Sequence, residues 1–181
     1  SSEDSNQSII TNGSTASADN SNANSGAVYI YHRTDGVWSP QAYIKAKNNS
    51  SNDRFGDSLS LHDDTLAIGA IAEDANQSII TNGSTATHDD SLADSGAVYV
   101  YRSSGTDWVQ EAFIKAGNSD VHDYFGYSIS VDKETIAVSA LGEDSNHTII
   151  TNGSGAISTD DSNLDAGAVY IYKRNEILAT A

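Results

Sequence analysis

The chain carries an internal repeat that constrains its fold more than any other feature. The segment EDSNQSIITNGST begins at residue 3, and close variants begin at residues 73 and 143, a spacing of 70 residues. A second phrase, GAVYIY or GAVYVY, recurs at 26–31, 96–101 and 167–172. A fixed period of this kind indicates one supersecondary unit copied several times, with each copy burying its apolar surface against its neighbours.

The complete copy at 55–124 predicts four β-strands joined as an antiparallel meander. Runs that alternate with period two, or that are rich in β-branched and aromatic residues, are separated by short polar turns. We expect the strands at 55–61, 65–70, 96–101 and 108–114.

The third of these strands is apolar on both sides. Val98 and Val100 occupy one face, and Ala97, Tyr99 and Tyr101 occupy the other. A sheet with one face in water would alternate apolar with polar residues, so this sheet is expected between two others. Four-stranded antiparallel units stacked face to face form a β-propeller, whereas the competing β-sandwich does not explain so faithful a repeat. The predicted fold class is all-β, built from propeller blades.

The motifs of the second and third copies resemble the FG-GAP repeat, the blade unit of integrin α-subunit propellers and of related bacterial surface proteins. The resemblance is carried by Phe55-Gly56, Ile68-Gly69-Ala70 and Gly96-Ala97-Val98-Tyr99, and by Phe125-Gly126, Val138-Ser139-Ala140 and Gly167-Ala168-Val169-Tyr170. It implies four-stranded blades in a propeller of about seven. It also implies an extracellular and commonly adhesive protein.

The chain departs from the family pattern in two ways. The proline of the family's Gly-Ala-Pro is replaced by Ile71 in the second copy and by Leu141 in the third. The turn between the first two strands, at 62–64, is too short to hold a cage of about 6–8 oxygen ligands for calcium. The calcium site found at that turn in many integrin-type blades is therefore not carried over to this chain.

The long connection between the second and third strands is where we expect function. Asn82-Gly83, between β-prone residues, predicts a small protruding hairpin, and the same dipeptide stands at 12–13 and 152–153. The fold itself does not require this loop to recur so faithfully. Folding the hairpin would gather acidic and amide side chains at its base, which suits Ca²⁺. The alternative is that these side chains make Asx-turns and face water. The candidate ligands are Glu73, Asp74, Asn76, Asp89, Asp90 and Asp94, with Glu143, Asp144, Asn146, Asp160, Asp161 and Asp165 in the third copy.

The charge of the chain limits its partners. With 25 acidic against 9 basic residues, the formal net charge is -16, which makes nucleic acid a poor partner. Divalent cations, basic surfaces or a saline exterior fit better. No apolar run approaches the roughly 20 residues needed to cross a bilayer, so no membrane insertion is expected. No nucleophile context such as G-x-S-x-G is present, and we expect no enzyme.

The repeat phase divides the chain into three parts. Residues 1–54 form a partial blade, 55–124 a complete blade, and 125–181 a blade whose fourth strand, at 175–179, is short or missing. About two and a half blades form an incomplete ring with open edges. Its expected partners are the rest of a longer propeller or other copies of the chain.

Two functions follow as hypotheses. The first is a non-enzymatic binding or adhesion module outside the cell or at its surface, stabilised by cations, with a protein or glycan ligand. The second is a self-assembling structural subunit, in a ring or a filament, whose open blades are completed by neighbouring copies.

Overall fold

The computed structural model describes residues 3–13, 16, 18–77, 80–83, 88–152 and 160–174, and this part of the chain is all-β. Within it, no helix has the length and apolar character needed to span a bilayer. The strands are β1 (Ile10–Asn12), β2 (Val28–Thr34), β3 (Val37–Ile44), β4 (Phe55–His62), β5 (Thr65–Ala70), β6 (Ile80–Asn82), β7 (Ala97–Ser103), β8 (Trp108–Ile114), β9 (Phe125–Asp132), β10 (Thr135–Ala140) and β11 (Ala168–Lys173).

The second blade contains the four predicted strands in the predicted order. Its sheet runs β4-β5-β7-β8-β6, and every neighbouring pair is antiparallel. The β4–β5 hairpin closes directly from His62 to Thr65, with Asp63 at φ 50° in the left-handed region that a tight two-residue turn requires. This turn is as short as the sequence predicts.

The structure differs from the predicted protruding hairpin at Asn82-Gly83 in the first half of that hairpin. Ile80–Asn82 does not stand away from the blade but pairs with Ile114–Ala112 as a fifth strand at the outer edge. The amide of Gly83 donates to the carbonyl of Glu111 at 2.6 Å, continuing the same ladder. An open sheet edge offers more hydrogen-bonding partners than a short isolated hairpin, so the edge is favoured. The predicted second half, 84–87, lies outside the described residues.

The first and third blades repeat parts of this sheet. The first has the order β1-β3-β2, so it carries the third, fourth and fifth strands of the pattern. The third has the order β11-β10-β9, the first three strands. The fourth strand predicted for it at 175–179 lies outside the described residues. The three sheets of the described chain do not close into a ring.

The second blade is buried on both faces, which confirms the expectation from its apolar pattern. Every residue of β5 is buried, and so are the first five residues of β7. One face packs against the first blade in a core that includes Val28, Ile44, Phe55, Ile68, Tyr99 and Phe113. The other packs against the third blade in a core that includes Val98, Val100, Ile114, Phe125 and Val138. We call these two contacts the first seam and the second seam.

Candidate functional site at the seams between blades

Each seam is closed by a short ladder of backbone hydrogen bonds between neighbouring blades. At the second seam, the end of the long loop, residues 93–95, accepts hydrogen bonds from the turn that precedes Phe125. The first seam has the same three bonds one repeat earlier. The bonds are His122 N to Ala93 O (2.9 Å), Tyr124 N to Asp94 O (3.1 Å) and Phe125 N to Ser95 O (3.0 Å), and Asn52 N to Ala23 O (2.9 Å), Arg54 N to Asn24 O (3.1 Å) and Phe55 N to Ser25 O (3.0 Å).

The recurring Phe-Gly and Gly-Ala dipeptides meet at this ladder. Gly96 forms a parallel bridge with Phe125, has φ of +80°, and lies so close to the Phe125 backbone that a Cβ would overlap its carbonyl oxygen. Gly126 also has positive φ, and a Cβ there would lie 2.8 Å from the carbonyl oxygen of Ala97. The same contact joins Gly26 and Phe55 at the first seam. Glycine recurs at these positions because two blade backbones approach closely.

A buried polar network spans the first seam. The Nζ of Lys115 lies 3.0 Å from Oε2 of Glu73 and donates to Oγ of Ser95 at 2.6 Å. The other carboxyl oxygen of Glu73 accepts from Nδ2 of Asn48 at 2.7 Å, and Oδ1 of Asn48 accepts from the Tyr99 hydroxyl. Since Asn48 follows the fourth strand of the first blade and the other four belong to the second, this network joins the two blades.

Parts of the network recur at the same repeat positions. In the first blade, Lys45 Nζ lies 2.8 Å from Glu3 Oε2 and donates to Ser25 Oγ at 2.7 Å. At the second seam, Nδ2 of Asn118 donates to Glu143 Oε1 at 2.6 Å. The Tyr170 hydroxyl donates to Asn118 Oδ1 at 2.6 Å, as Tyr99 does to Asn48. The lysine, glutamate, asparagine and tyrosine of the repeat therefore have one shared structural role.

Sequence reasoning missed these lysines and asparagines, although a signal was present. The tripeptide Ile-Lys-Ala stands at both 44–46 and 114–116, directly after a strand. Charged residues are rarely buried unless paired, and a recurring lysine between two buried apolar residues indicates such a pair.

The aspartate that follows each glutamate closes the long loop. Oδ1 of Asp74 accepts the backbone amide of Asp94 at 2.7 Å, and Asp144 and Asp4 bind the amides of Asp165 and Asn24 in the same way. The Glu-Asp pair that opens each loop is thus required by the seam and by the loop's own closure. The interpretation that the fold does not need this recurrence is wrong for these two positions.

Asp53 and Asp123 lie buried beside the seams, in the turn that precedes each Phe-Gly. Their Oδ2 atoms accept the amides of Ser50 and Asp120, each at 2.8 Å. Burial, with nearby carboxylates that include Glu73, raises the pKa of Asp53 from its usual 3.8 to about 8. Burial and the charge of Glu143 raise the pKa of Asp123 to about 7.

These raised pKa values give stability a defined pH dependence. The folded chain holds protons on Asp53 and Asp123 that the unfolded chain releases near pH 3.8, so stability is present below that range and is lost as pH rises toward about 8. We expect the free energy of unfolding to fall between about pH 5 and pH 8. Asp53→Asn should flatten this fall in urea titrations, whereas Asp35→Asn, in the exposed β2–β3 turn, should not. A variant Asp53→Asn with an unchanged pH profile would contradict this assignment.

The predicted calcium ligands occupy two different environments. Glu73 and Glu143 are buried, and both carboxyl oxygens of Glu73 are engaged in the network at the first seam. The other ten are exposed or half-buried in the long loops, namely Asp74, Asn76, Asp89, Asp90, Asp94, Asp144, Asn146, Asp160, Asp161 and Asp165.

The exposed candidate calcium ligands lie close to further acidic side chains. Limited desolvation and the charges of Asp120, Asp144 and Asp160 raise the pKa of Asp161. Oδ2 of Asp90 accepts from Oγ of Ser50 across the first seam at 3.2 Å. Among the residues that the structure describes, no group of three or more His, Asp or Glu side chains is arranged to hold a metal ion. Calcium binding by these loops stays a prediction.

The two tryptophans that recur at the start of the fourth strand have different surroundings. Trp108 is buried, and its backbone amide donates to Oδ1 of Asn12, which lies at the end of β1 in the first blade. Trp38 is 65 % exposed, with the guanidinium of Arg33 5.8 Å from its ring centroid. Packing between blades therefore explains why this position of the repeat is a tryptophan in the second blade.

Comparison with known proteins agrees with this architecture. No curated protein matches the chain. The FG-GAP repeat matches residues 38–85 and 108–154, which together make up more than half of the chain. Each matched segment runs from the fourth strand of one blade across a seam and into the long loop of the next. The chain belongs to the FG-GAP repeat family.

Proposed function

We propose that the chain is a non-enzymatic binding or adhesion module outside the cell or at its surface. FG-GAP repeats form propeller-type modules, often in adhesion proteins, typically occur in extracellular or surface proteins, and are generally non-catalytic. The contact surface in this proposal is the acidic rim, defined as six exposed or half-buried carboxylates of the long loops and of the turn before Phe125, namely Asp74, Asp90, Asp120, Asp144, Asp160 and Asp161.

The observation that carries the proposal is the crowding of like charges at the second seam. Desolvation and the charges of Asp120, Asp144 and Asp160 raise the pKa of Asp161, so its charged form is disfavoured there. Repulsion between carboxylates is relieved by a proton or by a bound cation. Because carboxylate oxygens suit Ca²⁺ and the chain carries a net charge of -16, a divalent cation is the favoured counter-charge.

Calcium is expected to raise the melting temperature of the chain. A ligand that binds only the native state stabilises it by RT ln(1 + [L]/Kd), which is about 2.7 kcal/mol at 100 times the Kd. The measurement is thermal unfolding in a Ca²⁺ series and in chelator at constant ionic strength, with Mg²⁺ as the matched control for general charge screening.

The double variant Asp160→Asn, Asp161→Asn should lose most of this response, whereas Asp35→Asn in the exposed turn between β2 and β3 should retain it. A melting temperature that stays constant across millimolar Ca²⁺ would remove calcium from the proposal.

A glycan array tests the binding function itself. The chain is applied in millimolar Ca²⁺ and in chelator, with the Asp160→Asn, Asp161→Asn variant and immobilised basic proteins in parallel. The proposal expects at least one ligand whose binding is weakened by the variant. Retention that is equal for the variant and the parent chain would place the contact surface elsewhere.

A second function is favoured by the apolar faces at the two ends of the described sheets. Tyr29 and Tyr31 on the first blade, and Val169 and Ile171 on the third, are exposed on the faces that point away from the second blade. Their repeat equivalents in the second blade are buried in the two seams. Large exposed apolar patches mark interaction sites, and another blade is the occupant with matching shape.

This second function is a self-assembling subunit whose faces are covered by neighbouring copies. In the binding-module proposal, the same faces meet the rest of a longer propeller. Light scattering over a concentration series distinguishes the two for this chain. Association that is abolished by Ile171→Asp supports self-assembly, and a strictly monomeric species of 19.1 kDa would overturn it.

A further inference from the structure

Three buried groups at the first seam have the chemistry of an amide-forming reaction. The amine of Lys115, the carboxyl of Glu73 and the side-chain amide of Asn48 are each about 1 % exposed. The amine lies 3.0 Å from one carboxyl oxygen and the amide nitrogen lies 2.7 Å from the other. The amine and the amide are therefore separated by no more than one carboxyl group and two hydrogen bonds.

The protonation of this site favours a reactive amine. Burial lowers the pKa of Lys115 and raises the pKa of Glu73, while their mutual attraction opposes both changes. Both shifts favour transfer of a proton from the ammonium to the carboxylate, which leaves a neutral amine with a free electron pair. Lysine amines that lose their charge by desolvation are established nucleophiles in proteins.

The amide of Asn48 is also polarised for attack. Its Oδ1 accepts a hydrogen bond of 2.5 Å from the hydroxyl of Tyr99. Burial raises the pKa of Tyr99 well above its usual value, so the hydroxyl keeps its proton and acts as a donor. A donor aimed at an amide oxygen stabilises the negative charge that develops there during nucleophilic addition.

We propose that Lys115 and Asn48 become joined by an amide bond across the first seam, with Glu73 as the proton-transfer group. The Nζ electron pair attacks Cγ of Asn48, and a new Nζ–Cγ bond forms. Glu73, which already holds the proton from the ammonium, delivers it to Nδ2, the Cγ–Nδ2 bond breaks, and ammonia leaves. The carboxylate so formed takes the extra proton from Nζ. No oxidant, reductant or metal is consumed, and the product is a neutral secondary amide.

The surroundings favour this step in the folded chain and not in the unfolded one. Fixing amine, carboxyl and amide in one water-poor site converts a reaction between distant side chains into a local one. The amine must still swing from the carboxyl toward the amide carbon. Once formed, the bond would tie the end of β8 to the end of β3 and so fasten two blades covalently. The chain has no cysteine, so a disulfide is not available for that purpose.

The repeat supplies two matched incomplete sites. Lys45 and Glu3 form the amine–carboxyl half, and Asn118 and Glu143 form the amide–carboxyl half. Within the described residues, amine, carboxyl and amide come together only at the first seam. A single bond per chain is therefore expected, independent of whether the chain binds a ligand.

Mass spectrometry of the purified, denatured chain tests the proposal. The expected mass is lower than the mass calculated from the sequence by one ammonia molecule. Trypsin should release peptide 48–54 covalently joined to peptide 103–133, with no cleavage at Lys115. Locating the joined peptides is essential, because succinimide formation at the three Asn-Gly dipeptides also releases ammonia.

Four variants define the roles. Lys115→Met and Glu73→Gln should show no joined peptides, and Lys45→Arg, at the incomplete site, should leave the bond intact. Asn48→Asp should release water instead of ammonia and give a joined product of the same mass as the parent. Recovery of peptides 48–54 and 103–115 as separate species in full yield from the parent chain would overturn the proposal, whatever the variants do. A joined product in Glu73→Gln would overturn the role of Glu73.

Discussion

Replacing Gly96 with alanine is expected to lower the free energy of unfolding by about 3 kcal/mol or more. Gly96 has φ of +80°, which an alanine adopts only with strain, and the added Cβ would overlap the backbone oxygen of Phe125 on the next blade. Backbone atoms have no rotamer by which to yield, so the ladder at the second seam must open to make room. Urea unfolding followed by the fluorescence of Trp108, which is buried, measures the loss.

Gly36→Ala is the matched control. Gly36 has φ of +85°, close to that of Gly96, but a Cβ there meets nothing within 4 Å. In this variant, the free energy of unfolding should fall only by the conformational cost of an alanine in the left-handed region, about 1 to 2 kcal/mol. The excess loss in Gly96→Ala is the contribution of the close approach between blades. Equal losses in the two variants would show that the contact between Gly96 and Phe125 is not tight in solution.

Replacing Lys115 with methionine is expected to lower the free energy of unfolding by about 3 to 5 kcal/mol. The change removes the partner of Glu73, together with the proposed link to Asn48, while keeping the length and apolar stem of the side chain. Glu73 is then left as a buried carboxyl without its cation, in a site where burial already raises its pKa. Ser95 loses the hydrogen bond from Lys115, while its own bond to the carbonyl of Glu73 remains. The measurement is the same urea titration at pH 7.

Lys45→Met provides the comparison at the first blade. Lys45 is as buried as Lys115, but its partner Glu3 is 19 % exposed in its side chain, whereas Glu73 is 1 % exposed. An exposed carboxyl regains water when its partner is removed, so a smaller loss is expected. If Lys45→Met proved as destabilising as Lys115→Met, burial of the glutamate would not be what makes the pair at the first seam important.

The blade could be predicted from the sequence because its signals are local. The alternation in TLAIGA at 65–70 and the two apolar faces of AVYVY at 97–101 are each contained within one strand. Together with the repeat, they predicted four strands, their order, and burial on both faces. The structure confirms these features because β-strand periodicity depends on near neighbours.

The seam network could not be derived in the same way. Lys115 and Glu73 are 42 residues apart in the sequence, and Glu73 and Asn48 are 25 residues apart. From the sequence alone, Glu73 and Asp74 read as two loop carboxylates facing water or a cation. Only the folded arrangement of the second blade shows that Glu73 points inward to a lysine and that Asp74 closes its own loop.

The fifth strand shows how tertiary context overrides a strong local signal. Asn82-Gly83 is a favourable hairpin turn, and isolated hairpins of that type form from local preference. In the folded blade, the outer edge of β8 lies within reach of Ile80–Asn82 and satisfies its backbone groups. In the third copy, Ile149 and Ile150 are exposed and no strand is formed at 149–152, and the segment predicted as their partner, 175–179, lies outside the described residues.

The central claim is that the recurring residues fasten neighbouring blades into one folding unit, and native-state hydrogen exchange tests it most directly. The amide of Phe125, bonded to Ser95 across the second seam, is compared with that of Ile68 in the central strand β5. The account predicts that both exchange only through global unfolding, with free energies equal within about 1 kcal/mol. Exchange of the Phe125 amide at a free energy several kcal/mol lower would show that the blades separate independently and would contradict the claim.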